Sequence, residues 1–306
     1  MKKIFIIAAA CIGFSTVFAQ EKASNRKLND GTMEAELPEG WTKRGTSSLL
    51  INQAAFDNWV SGGTNTVGVI FSGDYEANLR KGKNMWDNRL ILGYGIQKNK
   101  GTIEQKSEDV INLTTKYRHQ IDSSHWYFGA AANFKTQFTN GYEYDDLSTG
   151  AGERVTSAFF APAYLTVGAG VDYIPNKNFE LNIHPLTSKM TFVTKDEVKV
   201  DAAGNPRFGL DDANDSFVYE LGLFVGARHH AKLMENITFD HQIGLYSNYL
   251  ENPDHIDVAY LAKLVMQVNK YVSAQISGEL VYDHDQIRRL QAKETIGVGL
   301  TYNFGK

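Results

Sequence analysis

The final segment of the chain constrains the possible fold more than any other feature. From residue 293 to residue 306, apolar side chains stand at alternate positions, and small or polar side chains stand between them. Side chains of an extended strand alternate between its two faces, so this segment has one wholly apolar face. Such a face, ending in an aromatic pair, is typical of the closing strand of an outer-membrane barrel. The apolar positions are Ile296, Val298, Leu300, Tyr302 and Phe304.

The same alternation recurs along most of the preceding chain. Each segment has apolar side chains on one face and smaller or polar side chains on the other, which predicts a strand with one face in lipid. The predicted strands cover residues 67–79, 86–96, 111–117, 126–138, 159–173, 179–185, 217–227, 237–245, 258–268 and 272–282.

The connections between these segments alternate in length. Outer-membrane barrels keep short turns in the periplasm and long loops outside the cell. With the C-terminus in the periplasm, this order requires one further outward strand, and residues 47–60 are the only candidate. The sequence therefore predicts an all-β fold, a transmembrane antiparallel up-and-down β-barrel of about 12 strands. The predicted short turns are at 81–83, 122–124, 176–177, 235–236 and 269–270, and the predicted long loops are at 99–106, 140–154, 195–215, 251–256 and 285–293.

The N-terminal segment predicts export. Residues 1–19 combine a basic start, a short apolar run and small residues before Gln20, which indicates a cleaved signal peptide. Residues 20–46 carry many charges and few regular apolar positions, which predicts a flexible periplasmic leader before a barrel at 47–306. Cys11, the only cysteine, lies in the predicted signal, so the mature chain is expected to lack thiols. The expected location is the outer membrane of a Gram-negative bacterium.

Charge argues against nucleic-acid binding. The chain has 31 Lys and Arg against 35 Asp and Glu, so it presents no strong basic field.

Charged residues of both signs alternate with the apolar stripes and are expected to face the lumen. A selective ion channel would more often show a ring of one sign. The sequence therefore predicts lumen ion pairs between Lys263 and Glu279 and between His230 and Asp240.

Several short motifs occur in a fixed order along the predicted barrel. They include Trp59, Gly62, Gly63, Asn65, Trp86, Asp87 and Asn88. In the order and spacing of these motifs, the chain resembles a family of uncharacterised Bacteroidetes outer-membrane barrels that is catalogued only as a domain of unknown function. The resemblance runs from about residue 49 to residue 304. It implies an outer-membrane barrel and supplies no activity, substrate, cofactor or catalytic residue.

The histidines are the residues that most favour an active or metal site. His229, His230 and His241 lie across one predicted hairpin, but neighbouring residues of a strand point to opposite faces. At most two of them share a face, which is an incomplete metal site. No lipase or deacylase motif surrounds any serine. We therefore expect no catalytic, cofactor or metal site, with calcium binding by the acidic loop at 211–215 or by the Asp283 and Asp285 pair left open.

Three functions remain as hypotheses. The first is a small channel or transport protein for polar solutes, and the alternative is a structural or accessory barrel in a larger envelope assembly. A third, an outer-membrane lipid hydrolase, has the least support. The expected partners are outer-membrane lipid, lipopolysaccharide, the barrel-assembly machinery and envelope proteins, without nucleic acid. Tyr302 and Phe304 are predicted to form the assembly signal of the last strand.

Overall fold

The protein folds into a closed barrel of twelve antiparallel strands in the computed structural model, which describes residues 39–54, 65–144, 153–284 and 287–305. The prediction of an all-β barrel with an even strand number is confirmed. The strands are β1 (Gly40–Ala54), β2 (Thr66–Lys81), β3 (Asn84–Asn99), β4 (Glu104–Gln120), β5 (Trp126–Thr136), β6 (Gly141–Tyr144), β7 (Glu153–Ser157), β8 (Ala163–Asn176), β9 (Phe179–Phe192), β10 (Phe217–Met234), β11 (Ile237–Asn248), β12 (Ile256–Gln267), β13 (Val272–Asp283) and β14 (Ile287–Gly305). Strands β6 and β7 pair with each other outside the barrel.

The barrel closes between its first and last strands. β1 and β14 pair from Arg44 opposite Gly305 to Ile51 opposite Val298. Both ends of the barrel chain therefore lie at one end of the barrel, which we call the terminal end. The short turns after β2, β4, β8, β10 and β12 lie there too, and the opposite end is called the loop end.

The two faces of the wall differ as the alternation predicts. Outward side chains are large and apolar, and Phe71, Phe128 and Leu300 are each at least half exposed. Inward side chains are polar, and Glu76 and Arg118 are only 4% exposed. Because the interior side chains cover one another, the lumen is a packed polar core over much of its length.

Two strands begin earlier than the sequence predicts. β1 starts at Gly40, so residues 40–46, assigned to the leader, belong to the barrel. This polar stretch has no apolar stripe, but its backbone pairs with β2 up to Gly40 opposite Arg80. β14 starts at Ile287, so the predicted long loop at 285–293 is mostly strand. Its first residues mix apolar and charged side chains without strict alternation, with arginine at both 288 and 289, so the sequence pattern did not predict a strand there.

A bulge hides a third strand boundary. β9 continues to Phe192 instead of ending at residue 185, and its register with β8 shifts between Ala169 and Val171. Pro185 and Leu186 both point outward at the shift, so the alternation is broken there. A Cβ atom on Gly170 would clash with the backbone of β9, which explains why glycine occupies this position.

The long connections at the loop end fold onto each other. The predicted loops at 140–154 and 195–215 hold parts of the β6–β7 hairpin and a one-turn helix, α1 (Asp196–Lys199). A small apolar cluster joins these connections, and we call this unit the cap. The apolar cluster contains Ala158, Ala161, Val193, Val198, Phe208 and Leu210.

The turn after α1 has its own polar contacts. Hydrogen bonds from Asn205 and Ala203 hold the pKa of the Asp201 carboxyl below its usual range.

Helices play little part in the described fold. Among the residues that the structure describes, none forms a helix long and apolar enough to cross a membrane.

Candidate functional site in the barrel lumen

The candidate site is the lumen, whose terminal half carries a belt of charged side chains. Successive side chains of a strand point to opposite faces, and each charged residue of this set stands at an inward-facing position on a strand between β1 and β12. We call this set the charge belt. It consists of Arg44, Asp74, Glu76, Arg80, Asp87, Arg89, Lys116, Arg118, Asp172, Glu180, Arg228, His230, Asp240 and Lys263.

Arg118 is the centre of the belt. Its Nε donates to Asp172 Oδ2 at 2.7 Å, and its Nη1 donates to Asp87 Oδ2 at 3.0 Å. Its Nη2 donates to Glu180, which also accepts from Lys116 Nζ at 2.9 Å. Four strands are joined through this one guanidinium. Because a buried charge is costly unless it is paired, these contacts explain how Arg118 is held almost fully inside.

A second cluster lies near the β1–β14 closure. Arg89 donates Nε to Asp74 Oδ1 at 2.8 Å and Nη2 to Asp74 Oδ2 at 2.6 Å. Such a two-bond contact fixes the orientation of both groups. Glu76, which accepts from Arg44, lies 3.8 Å from Arg89 Nε. Strands β1, β2 and β3 are therefore connected by alternating charges.

The predicted pair of His230 and Asp240 lies on neighbouring strands. The two residues stand directly opposite each other on β10 and β11, and His230 Nδ1 is 2.9 Å from Asp240 Oδ1. Arg228 Nη2 reaches the same oxygen at 3.1 Å. Deeper in the wall, His184 Nε2 lies 2.9 Å from Asp172 Oδ1, a contact that the sequence reasoning did not find.

The predicted pair of Lys263 and Glu279 does not form in the described residues, since no ion pair within 4.0 Å joins them. Both side chains face the lumen, but Lys263 stands opposite Ser277 and Glu279 stands opposite Leu261. Lys263 is buried among charges from other strands, which include Arg89, Asp74 and Asp240. The hairpin register places Lys263 and Glu279 diagonally, and the lumen offers Lys263 other charges.

The charge belt stops at β13 and β14, where small hydroxyl side chains line the lumen. Ser277 Oγ lies 2.6 Å from Thr295 Oγ1. Thr301 Oγ1 lies 3.3 Å from Ser48 Oγ and 3.2 Å from Ser273 Oγ. We call these five residues the hydroxyl wall. Gly297 and Gly299 continue this uncharged lining along β14 and are themselves half-buried, with the Leu50 side chain of β1 packed against them.

The loop half of the lumen carries fewer charges. Lys189 Nζ lies 2.6 Å from Glu220 Oε2 and 3.9 Å from Asp257 Oδ2. Lys293 Nζ donates to Glu108 Oε2 at 2.9 Å. Sequence reasoning missed Lys189 and Lys293 because it placed both in connections, beyond the predicted strand ends.

The family-motif residues lie in different environments. Trp86 points outward and donates to Thr115 Oγ1 at 2.8 Å, and Thr115 donates to Asn88 Oδ1 at 2.8 Å. Asp87 belongs to the charge belt, and the carbonyl of Asn65 accepts from Lys100. Trp59, Gly62 and Gly63 lie outside the described residues.

The predicted assembly residues lie on the outer surface of the closure. Tyr302 and Phe304 stack with their ring centroids 6.2 Å apart. Phe304 stands opposite Gly45 of β1, and its ring covers the space that a Cβ atom on Gly45 would need. The glycine therefore lets the last strand lay an aromatic ring across the first.

The histidines and acidic loops form no recognisable cation site in the described parts of the chain, where no three His, Cys, Asp or Glu side chains are grouped to hold a metal. His229 Nδ1 and His241 Nε2 lie 3.2 Å apart. In the acidic loop, Asp212 accepts from the backbone and side chain of Asn214. Local turns thus account for the contacts of this carboxylate.

Sequence comparison bears on the family. A family model described as "Protein of unknown function (DUF3078)" matches residues 51–142. The resemblance to an uncharacterised family is confirmed over that range. The match covers the early barrel strands, including Trp86, Asp87 and Asn88. No curated protein matches the sequence.

Several solved structures are similar in fold. The COG4313 outer membrane channel from Pseudomonas putida F1 has 11% identity, with 92% of this chain and 100% of that chain covered and a TM-score of 0.43. The translocator domain of autotransporter NalP from Neisseria meningitidis has 12% identity, with 88% and 90% covered and a TM-score of 0.38. The Pseudomonas putida toluene transporter TodX has 9% identity, with 87% and 90% covered and a TM-score of 0.34.

Proposed function

We propose that this protein is an outer-membrane channel that passes small polar solutes along its hydroxyl wall. The membrane location is supported by the outer surface. A strand needs about 9–11 residues to cross a bilayer, and each barrel strand has at least 11. Outward aromatic residues stand near the terminal end, where Trp41 and Trp86 lie 5.8 Å apart and Trp126 and Tyr173 lie 4.8 Å apart. Aromatic side chains favour the two membrane–water interfaces.

The uneven lining of the lumen carries the proposal. The charge belt fills the lumen from β1 to β12 with long side chains that hydrogen-bond one another. β13 and β14 contribute short side chains there, including Ser277, Thr295 and Gly297. A hydroxyl group can both donate and accept hydrogen bonds, so this lining suits an uncharged polar solute or a hydrated ion. A narrow path beside the hydroxyl wall is therefore the arrangement that the geometry supports best.

The charges predict weak ion selectivity. Most cations of the belt lie beside a carboxylate, so their fields largely cancel over short distances. A strongly selective channel would need a ring of one sign at its narrowest point. We expect modest conductance with little preference between small cations and anions.

Single-channel recording in planar bilayers tests this function. The purified protein should give reproducible conductance steps. Ser277→Trp should reduce the step size by narrowing the path, whereas the matched change Ile276→Trp places the same ring on the outer face and should leave it unchanged. Silent bilayers, or equal steps from both variants, would refute passage along the hydroxyl wall.

A second candidate is the accessory barrel of an envelope assembly. Its support is the cap, a separate apolar cluster that holds the surface connections in one fixed arrangement. Silent bilayers together with stoichiometric co-purification of an envelope protein would favour this role. Neither proposal assigns an enzymatic activity. Outer-membrane lipid, lipopolysaccharide and the barrel-assembly machinery remain proposed partners of both.

A further inference from the structure

One ion pair reaches across the lumen instead of along its wall. Lys293 on β14 and Glu108 on β4 are joined at 2.9 Å, although β1, β2 and β3 lie between their strands. Four strand spacings of ~4.8 Å separate them by roughly 19 Å along the wall. Both side chains must therefore extend into the lumen to meet.

The wall beneath Glu108 is built to let its side chain extend. Glu108 stands opposite Gly95 of β3, and Val110 stands opposite Gly93. A Cβ atom on Gly95 would lie 3.1 Å from Glu108 Cβ, and one on Gly93 would lie 3.3 Å from Glu108 Cγ. Both distances are tighter than ordinary contacts, so larger residues would push Glu108 away. The two glycines leave room for the Glu108 stem and for the neighbouring side chains of Ile70, Ser107 and Val110.

The pair also lies where water and ions can reach it. The side chain of Lys293 is 29% exposed and that of Glu108 is 26% exposed, whereas Arg118 and Asp172 in the charge belt are 4% and 2% exposed. Charge pairs open to water contribute little net stability. This pair can therefore separate far more readily than the belt can, which suits a part of the channel that must let solute by.

We infer that Lys293 and Glu108 form a clasp over the hydroxyl-wall passage near its loop end and balance its charge selectivity. This inference rests on the proposed channel function. Thr295 and Gly297 follow Lys293 on the same face of β14, so a solute that moves along this wall passes the clasp. With both members present, the cation and the carboxylate offset each other. Loss of one member changes the net charge of the path by one unit, with Glu279 still directly opposite Lys293 on β13, and this change acts on passing ions.

The test measures reversal potential and step size in planar bilayers with unequal KCl concentrations on the two sides. Glu108→Gln removes one negative charge from the path and should shift the reversal potential toward anion preference. Lys293→Gln removes one positive charge from the path and should shift the reversal potential toward cation preference. Both variants should also enlarge the conductance step, because the contact that closes the path is lost.

Three further variants separate the effect of charge from the effect of closure and from nonspecific effects. Glu108→Asp keeps the charge but shortens the side chain, so it should enlarge the step with a smaller shift in reversal potential. The matched control uses Lys98 and Glu104, an ion pair at the same end whose side chains are 55% and 63% exposed. Lys98→Gln and Glu104→Gln change the same charges away from the lumen and should leave both readouts unchanged. Heat-modifiable migration on gels confirms that each variant is folded.

The outcomes distinguish the clasp from the channel itself. Opposite shifts from Glu108→Gln and Lys293→Gln support the clasp, as do steps that appear in these variants when the unaltered protein is silent. Conducting variants with an unchanged reversal potential would overturn the clasp and leave the channel function standing. Silence of every folded variant would overturn the channel function and the clasp with it.

Discussion

At the scale of single residues, the inside of this barrel is organised by charge compensation. Asp172 and Glu180 both accept hydrogen bonds from Arg118, and Asp87 accepts a third. Each carboxylate is tolerable in the packed lumen because a cation stands beside it. Substitution of a shared cation therefore affects several carboxylates at once.

Arg118→Met should strongly destabilise the barrel. The substitution leaves Asp172 and Glu180 without their shared cation, and breaking a buried pair costs about 3–5 kcal/mol. Urea unfolding in detergent micelles measures the loss. Arg80→Met is the control, because its pair with Asp87 is more exposed and should contribute about 1 kcal/mol or less. Equal losses from both variants would contradict the central place of Arg118.

Leu264 and Lys263 test the two faces of one strand. Leu264→Arg places a charge on the outer face and should cost about 2–4 kcal/mol if it stands near mid-membrane. Lys263→Gln should cost much less, since Lys263 faces the lumen opposite Ser277 and forms no ion pair with Glu279 among the described residues. Urea unfolding of both variants in lipid gives the comparison. Equal tolerance would mean that the two faces of β12 are assigned wrongly.

At the scale of elements, β14 contributes both to closure of the barrel and to the lining of the lumen. Its C-terminal part closes the barrel against β1, with Phe304 laid over Gly45. Its middle supplies Thr295 and Thr301 to the hydroxyl wall, and its N-terminal part supplies Lys293 to the clasp. A single long strand therefore links closure of the barrel to the lining of the lumen.

Deletion of residues 302–306 should prevent assembly. The deletion removes the stacked rings of Tyr302 and Phe304 and part of the β1–β14 pairing, which leaves the barrel edge open. Unpaired strand edges are not tolerated in lipid, so unfolded protein should remain in the periplasm. Membrane fractionation and heat-modifiable migration measure the outcome. The milder variant Phe304→Ala should lower the folded fraction more than Val298→Ala, and normal membrane levels of the deletion would refute the assembly role.

At the scale of the whole molecule, the connections define two unlike ends. The terminal end has short turns and both chain ends, and the loop end carries the cap. In a bacterial outer membrane this arrangement places the terminal end in the periplasm and the cap outside the cell. The proposed passage would then open to the exterior at the loop end, near Lys293 and Glu108.

An epitope tag tests this orientation. A tag inserted in the exposed turn at 202–205 should be labelled on intact cells, whereas a tag at Asn176 should be labelled only after the outer membrane is opened. The two tagged proteins serve as controls for each other. Labelling of the Asn176 tag alone on intact cells would invert the barrel in the membrane.

The sequence by itself determined the barrel, because alternation is a local property with a period of two residues. Ile296, Val298 and Leu300 already mark an outward face, and the order of short and long connections yields an even strand number. The opposition of His230 and Asp240 follows in the same way, since a short turn sets the register of one hairpin. Such inferences need only neighbours in the chain.

Only the tertiary structure decided which charges meet across the lumen. Lys293 and Glu108 are far apart in sequence, and their contact depends on the curvature of the closed wall and on room above Gly93 and Gly95. Lys189 was missed because Pro185 and Leu186 break the alternation, so the predicted strand ended at residue 185. Lys263 does not pair with Glu279 as predicted, because diagonal neighbours in a hairpin compete with charges from the opposite wall. Closing a sheet into a barrel brings distant strands face to face, and no local sequence pattern predicts which of their residues come into contact.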